Sequence, residues 1–267
     1  PAVSWVLVGP GAVDEGALPG GYLGGTTAAS GTLDIATGGD TVASVVITVA
    51  GGTAVDVTAG GTVPGTYGDL VVTVDAGVYS WTYTLSANAP HTDDEAVGSA
   101  DQFPEENFSV VLTDSDGDTT PAAPLVIQIN DDGPLALDDE ASTAEDTAVT
   151  VNVIANDEAG ADGGKTLVSA TLATAGAGTI GVNPTTGEIT FTPAAGFEGV
   201  ATIDYVMQDA EGDTDTAQLV VTVAPDSTPA VSWVLVGPGE VNEGGLPDGN
   251  LGGSISASGT LSINTGD

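Results

Sequence analysis

The chain has 267 residues, 41% of them hydrophobic, and no cysteine. This length holds two domains, the hydrophobic fraction argues against general disorder, and the missing cysteine excludes disulfide bonds. Thirty-eight acidic residues face one basic residue, which gives a formal net charge of −37 at pH 7. Nucleic acid is therefore excluded as a partner, because phosphate binding requires Lys and Arg, and no apolar stretch approaches the roughly 18 residues of a membrane span.

The excess of carboxylates points to metal binding. A compact chain with this charge repels itself unless cations neutralise part of it, and clustered carboxylates supply the oxygen ligands that Ca²⁺ takes. The alternative is an acidic surface that serves only solubility. Residue 1 is Pro and no leader segment follows it, so we expect the numbering to begin inside a longer, secreted protein.

Short apolar segments separated by turns predict β-strands along the whole chain. In a first domain, A (1–133), they lie at 3–8, 31–35, 44–49, 70–75, 78–86, 108–113 and 125–130. In a second domain, B (134–226), they lie at 149–154, 166–171, 178–183, 188–192, 201–208 and 217–223. No segment keeps a helical apolar period. The predicted fold class is all-β, with tandem immunoglobulin-like or cadherin-like β-sandwich domains.

An internal repeat defines the domain order. The segment PAVSWVLVGPG at 1–11 recurs at 229–239, and roughly 28 of 39 aligned positions are identical at an offset of about 228 residues. Residues 227–267 are therefore predicted to be a partial second copy of A. Short linkers at 131–134 and 225–229 predict that neighbouring domains touch.

An acidic loop precedes the last predicted strand of each domain. It lies at 114–118 (DSDGD) in A and at 209–215 (DAEGDTD) in B. Alternate carboxylates around a glycine can direct several oxygens to one point, as calcium loops require, although neither loop has the EF-hand pattern. A solvated turn is the alternative interpretation. The candidate ligands in these loops are Asp114, Asp116, Asp118, Asp209, Glu211 and Asp213.

The strand order of an immunoglobulin-like sandwich predicts which carboxylates meet between A and B. The loop before the last strand of B (209–215), the loop after its second strand and the start of its first strand are expected beside the linker, and the turn after the first strand of A faces them. Calcium there would relieve the repulsion and fix the angle between domains. The residues expected at this seam are Asp14, Glu15, Asp131, Asp132, Asp138, Asp139 and Asp157, while Glu145 and Asp146 are expected to face Asp226 at the second seam.

Several segments carry a family resemblance. Residues 67–86 (YGDLVVTVDAGVYSWTYTLS), with FSVVLTDSDGD and INDDGP, resemble the repeats named for Vibrio, Colwellia, Bradyrhizobium and Shewanella. DDEASTAEDTAVTVNVIAND and GEITFTPAAGFEGVATIDYVMQDAEGDTDTA in B resemble cadherin-like tandem repeats of the same large type I-secreted (RTX-type) bacterial adhesins. The glycine-rich nonapeptides and the secretion signal of such adhesins are absent.

The resemblance implies an extracellular, calcium-stabilised spacer of a cell-surface adhesin involved in attachment or biofilm formation, with neighbouring repeats of the same long chain as its partners. By analogy with cadherin junctions it places calcium ligands at Glu15, Asp131, Asp132, Asp157 and Asp209.

Three other interpretations remain. An enzyme is disfavoured, because one His and no Cys leave no usual nucleophilic triad, and His91 is interpreted as part of a solvated polar loop. A ligand-binding module would need exposed aromatic residues, whereas Trp5, Trp81 and Trp233 are predicted to lie in cores. A filament subunit would result if residues 229–267 exchange strands with another copy. Lys165 lies in a predicted loop, which argues against an isopeptide bond.

Overall fold

The computed structural model describes residues 1–9, 11–91, 104–225, 230–236, 241, 247–248 and 256–264. Within these ranges the chain forms nineteen β-strands and one short 3-10 helix, Glu15–Ala17. The predicted all-β fold class is confirmed. Among the described residues, no helix is long and apolar enough to cross a membrane.

Domain A consists of two five-stranded sheets packed face to face, in the orders β1-β3-β8-β7-β6 and β2-β10-β9-β4-β5. Its core comes from strands whose side chains alternate between the two sheet faces; in β8, Tyr79, Trp81, Tyr83 and Leu85 are buried. The strands are β1 Ala2–Leu7, β2 Ala12–Asp14, β3 Ala28–Ala36, β4 Val42–Val49, β5 Ala54–Asp56, β6 Gly61–Pro64, β7 Gly68–Asp75, β8 Val78–Leu85, β9 Glu105–Asp114 and β10 Ala123–Asn130.

The hairpin between β7 and β8 follows the turn predicted from the sequence. Ala76 and Gly77 both have positive φ angles, 48° and 83°, and Asp75 pairs with Val78 across the turn. Two consecutive residues with positive φ match the twist of antiparallel strands in a two-residue turn.

The first strand of A divides between the two sheets. β1 pairs antiparallel with β3, whereas β2 crosses over and pairs parallel with β10, placing Asp14 beside Asn130. Because β10 leads directly into the linker, this parallel pair brings the start of the 3-10 helix, Glu15, to the end of A that faces B.

Domain B has a four-stranded sheet, β11-β17-β16-β13, and a three-stranded sheet, β12-β15-β14. Its first strand, β11, again pairs parallel with the last strand, β17. Phe191, Tyr205 and Met207 fill a core separate from that of A. The strands are β11 Asp139–Ala144, β12 Val149–Asn152, β13 Thr166–Leu172, β14 Gly178–Asn183, β15 Glu188–Pro193, β16 Gly199–Gln208 and β17 Thr214–Ala224.

Every strand predicted from the sequence is present, with its ends shifted by a few residues. β11, with six residues, was expected as the first strand of B but was given no bounds. β2, β5 and β6 were not predicted, and each has only three or four residues. A period of two residues cannot be recognised over so short a segment.

The repeated segment forms β18 (Ala230–Leu235) and β19 (Gly259–Asn264), which pair antiparallel. Trp233 pairs with Leu261, as Trp5 pairs with Leu33 in A. The predicted core position is confirmed for Trp81, which is buried. It is also confirmed for Trp5, whose ring packs edge-on against that of Trp81 at 5.6 Å between ring centres. The prediction is wrong for Trp233, which is 78% exposed, because no second sheet covers it within the described residues.

Candidate metal centre between the two domains

Six side chains from five segments of the chain meet where A, the linker and B come together. Glu15 lies in the 3-10 helix, Asp131 follows β10, and His91 follows β8. The remaining members come from two loops of B, between β12 and β13 and between β16 and β17. We call this set the seam cluster; its members are Glu15, His91, Asp131, Asp162, Asp209 and Glu211.

Asp132 joins the two domains beside the cluster. Its carboxylate is completely buried and accepts hydrogen bonds from the backbone N–H groups of Tyr22 and Leu23 in A, at 2.9 and 2.8 Å. It also accepts one from the N–H of Ala161 in B, at 2.9 Å. Three charge-assisted hydrogen bonds satisfy this buried charge and hold the two domains in contact.

His91 lies in the middle of the carboxylates. Its side chain is 5% exposed, and Nδ1 is 3.5 Å from Glu15 Oε2, 3.4 Å from Asp131 Oδ1 and 3.7 Å from Glu211 Oε2. Its backbone N–H donates to Glu211 Oε2 at 2.9 Å. The interpretation of His91 as a solvated loop residue is therefore wrong: the contact between A and B encloses it.

Four buried side-chain atoms have no hydrogen-bond partner in the described part of the chain: Glu15 Oε2, His91 Nδ1, Asp162 Oδ2 and Asp209 Oδ2. All four belong to the seam cluster. A buried polar atom without a partner costs free energy, and a buried, unpaired carboxylate costs more. Cations coordinated by these atoms would remove this cost.

The pKa values of two members of the seam cluster also indicate that its negative charge is not neutralised. Burial, with smaller contributions from Asp162 and Asp131, raises the pKa of Glu15 to about 7, although the Ala89 N–H and His91 act in the opposite direction. Burial and the charges of Glu211, Asp131 and Asp209 raise the pKa of Asp162 to about 6. In the absence of a cation, the cluster therefore resists full ionisation.

The ligand atoms fall into two groups, each within 4.8 Å: Glu15, His91 and Asp131, and Asp131, Asp162 and Glu211. The second group contains only carboxylate oxygens, which are the ligands of Ca²⁺. Asp209 lies close enough to act on Asp162, and one of its oxygens is unpartnered. The residues present thus fit a hard divalent cation.

The two acidic loops have the same local geometry. Asp209 Oδ1 accepts the N–H groups of Glu211, Gly212 and Asp213 at 2.9–3.0 Å, and the Asp209 N–H donates to the Asp213 carbonyl. In A, Asp114 Oδ1 accepts the Asp118 N–H and the Asp114 N–H donates to the Asp118 carbonyl. The first carboxylate of each loop therefore shapes its turn, and only the loop of B is at this seam.

The loop of A forms a separate group at the opposite end of its domain, with Asp40, Asp114 and Asp116 as possible ligands. A hydrogen bond from Asp116 lowers the pKa of Asp114 and, by the same contact, raises that of Asp116. None of the unpartnered buried atoms among the described residues belongs to this group.

Asp138, Asp139 and Asp157 lie inside B, outside both groups of the seam cluster. Asp157 is buried, accepts the Leu137 N–H at 2.8 Å and contacts the Tyr205 hydroxyl at 3.1 Å. Asp139 accepts from the same hydroxyl at 3.3 Å, and Asp138 accepts the Gln218 N–H. These carboxylates hold the first strand of B against its core; their role as metal ligands stays a prediction.

Glu145 and Asp146 lie between β11 and β12, at the end of B away from the seam cluster. Their expected partner, Asp226, lies outside the described residues. Lys165 does lie in a loop, where its Nζ donates to the Asp157 carbonyl at 2.7 Å.

The sequence did not single out two members of the cluster, His91 and Asp162. Asp162 follows Gly160 and precedes Gly163, both with positive φ, so the loop has the glycine spacing of a tight turn around one acid. Asn88 of A contacts this loop of B, since its Nδ2 donates to the Ala161 carbonyl oxygen and to Asp162 Oδ1.

The fold and site define an all-β protein of tandem immunoglobulin-like β-sandwich domains with an acidic cluster between the first two. A family model described as "Bacterial Ig domain" matches residues 130–222, which comprise most of B. A search of curated proteins finds no match.

The chain is also similar to solved cadherin structures. Drosophila N-cadherin EC1-3 is 15% identical with a TM-score of 0.32, and the match covers 84% of this chain and 68% of that one. Protocadherin gamma B7 EC1-4 is 15% identical with a TM-score of 0.32, covering 81% and 54%. Human mucin-like protocadherin EC1-2 is 16% identical with a TM-score of 0.31, covering 83% and 98%.

Proposed function

We propose that the chain is a calcium-stabilised spacer of a bacterial cell-surface adhesin, exported from the cell and used in attachment or biofilm formation. The observation that supports this is the seam cluster, where five carboxylates converge between two domains and three of them have a buried oxygen without a partner. A cation bound there would join A and B into a stiff unit. The domains would then act as a spacer and would not catalyse a reaction.

The carboxylate group Asp131, Asp162 and Glu211, with Asp209 beside it, would hold the calcium ion. The linker supplies Asp131 and two loops of B supply the others, while Glu15 approaches from A. Asp132 already ties the same elements through backbone N–H groups. Calcium would therefore stiffen a contact that exists without it, by neutralising the charge that opposes it.

A thermal melt combined with small-angle X-ray scattering, in millimolar CaCl₂ and in excess chelator, tests this proposal. Calcium at about 100 times its dissociation constant should stabilise the protein by about 2.7 kcal/mol. We expect a higher melting temperature and a larger maximum dimension in calcium. Equal melting temperatures and equal dimensions in the two buffers would refute the calcium joint.

The variant Asp162→Asn sharpens the test. It removes a carboxylate whose pKa is raised by burial and by its acidic neighbours, so we expect it to be more stable than wild type in chelator and to gain less stability from calcium. The matched control is Asp75→Asn, at an exposed position in the β7–β8 hairpin, which should respond to calcium as wild type does.

A filament subunit is the second candidate function. In that case the strands of the repeated segment, β18 and β19, would pair with strands of another copy by strand addition. The same scattering experiment measures molecular mass: a concentration-dependent mass above that of one chain would favour the filament.

A further inference from the structure

One member of the seam cluster is not a calcium ligand by chemical type. Ca²⁺ takes oxygen ligands, whereas imidazole nitrogen suits Zn²⁺ and other first-row transition metals. The group Glu15, His91 and Asp131 contains this nitrogen, and it shares only Asp131 with the carboxylate group proposed for calcium. The seam therefore presents two different ligand sets side by side.

The tautomer of His91 follows from its second ring nitrogen. Nε2 is 3.3 Å from the carbonyl oxygen of Ile129. Since a carbonyl only accepts, Nε2 carries a hydrogen, and in the neutral ring Nδ1 keeps its lone pair. A ring N–H donated to a backbone carbonyl is also the usual way in which a protein orients a metal-ligating histidine.

The distances around Nδ1 match a tetrahedral site. With Zn–N and Zn–O bonds of about 2.0–2.2 Å, neighbouring ligand atoms of a tetrahedron lie roughly 3.3–3.6 Å apart. Nδ1 lies 3.5 Å from Glu15 Oε2 and 3.4 Å from Asp131 Oδ1, both within this range, whereas Glu211 Oε2 lies beyond it at 3.7 Å. Glu15 is completely buried, and both Glu15 Oε2 and His91 Nδ1 are buried without a hydrogen-bond partner.

We propose that Glu15, His91 and Asp131 form a zinc-type site for a first-row transition-metal dication at the A/B seam. This inference rests on the proposed function in placing a metal-joined seam between the domains, and it adds a second metal of a different class. The competing state is a protonated His91 that forms ion pairs with Glu15, Asp131 and Glu211.

Because the chain contains one histidine, ¹³C labelling of histidine at Cε1 gives one ring signal from the whole protein. The full chain is titrated with ZnCl₂ in millimolar CaCl₂, so that calcium already occupies the oxygen sites. We expect a new His91 signal in slow exchange that saturates at one equivalent of Zn²⁺. A ring signal that does not move at saturating Zn²⁺ would overturn the proposal and assign His91 to ion pairs.

Two variants measured by calorimetry locate the ion. His91→Gln should bind Zn²⁺ at least tenfold more weakly and keep its stabilisation by calcium, whereas Asp162→Asn should keep zinc affinity and lose part of the calcium response. Zinc affinity unchanged in His91→Gln would overturn the site even if the wild-type signal moves.

The two proposals fail separately. A His91 signal that responds to Zn²⁺ in a protein that calcium does not stabilise would refute the calcium joint alone. Stabilisation by calcium with an unresponsive His91 would refute the zinc-type site alone.

Discussion

Buried carboxylates in this chain are of two kinds. Asp132 and Glu106 are buried and satisfied: Glu106 accepts the N–H groups of Thr66 and Tyr67 at 2.8–2.9 Å, much as Asp132 accepts three from A and B. Glu15 and Asp209 are buried and only half satisfied, since each has one partnered and one unpartnered oxygen. The first kind is satisfied by backbone N–H groups, and the second leaves a buried oxygen that a bound cation would neutralise.

Asp139 provides a test of pH dependence away from the seam cluster. Burial, followed by the charge of Asp157, raises its pKa from 3.8 to about 6. Its contribution to stability is complete below the unfolded value and is lost as the pH rises through about 6, because the folded protein binds the proton more tightly. Asp139→Asn should therefore remove part of the loss of stability between about pH 4 and 6.

The measurement is the melting temperature against pH in chelator, for wild type, Asp139→Asn and the exposed control Asp75→Asn. The melting temperatures of wild type and control should depend on pH in the same way. The melting temperature of Asp139→Asn should change less over this pH range. If the slope of Asp139→Asn between these pH values equals that of wild type, Asp139 is not the group responsible.

At the scale of elements, one close crossing in A depends on a residue without a side chain. Gly31 in β3 pairs with Trp81 in β8 and with Leu7 in β1. A Cβ atom at this position would lie 2.0 Å from the Val6 carbonyl oxygen and 2.7 Å from the Trp81 ring. Both neighbours are held by the sheet or the core, so neither can move cheaply.

Gly31→Ala should therefore destabilise A by about 1–3 kcal/mol or more, through overpacking between β1 and the Trp81 ring. The matched control is Gly181→Ala in β14, where an added Cβ meets only Thr190, at 4.0 Å. Urea denaturation is followed by tryptophan fluorescence, which reports on A because Trp5 and Trp81 lie there, and by circular dichroism, which reports on both domains. A Gly31→Ala variant as stable as Gly181→Ala would show that β1 can move away from β3.

At the scale of the whole molecule, two hydrophobic cores meet through a polar contact. The cores of A and B are separate, and Ala161 of B packs against the core of A. Hydrogen bonds between the described parts of the two domains run through Asp132, Asn88 and Glu211. Each domain thus has its own core, and the joint depends on charge.

A fragment of residues 134–226 should fold but lose the effect of calcium, because it lacks Glu15, Asp131 and the other groups of A. A fragment of residues 1–226 contains the complete seam cluster and should keep the calcium-dependent rise in melting temperature. Circular dichroism melts with and without calcium compare the two. If B alone is stabilised as strongly as the longer fragment, calcium binds within B, and Asp157, Asp139 and Asp138 become the candidate ligands.

The sequence by itself determined the fold class, the alternating strands and the Asp75-Ala76-Gly77 hairpin, because apolar alternation and turn residues act over a few neighbouring positions. It also indicated that Glu15, Asp131, Asp209 and Glu211 would lie between A and B, since strand order in a sandwich determines which loops share an end. Their role as ligands remains a prediction.

Only the tertiary structure decided that His91 and Asp162 complete the cluster, that Asp132 is satisfied by backbone N–H groups, and that Asp139 and Asp157 lie around Tyr205. The physical reason is that burial and hydrogen bonding depend on contacts between residues far apart in the chain. Glu15 and His91 are 76 positions apart, and His91 and Glu211 are 120, so no local pattern distinguishes an enclosed ligand from a solvated acid.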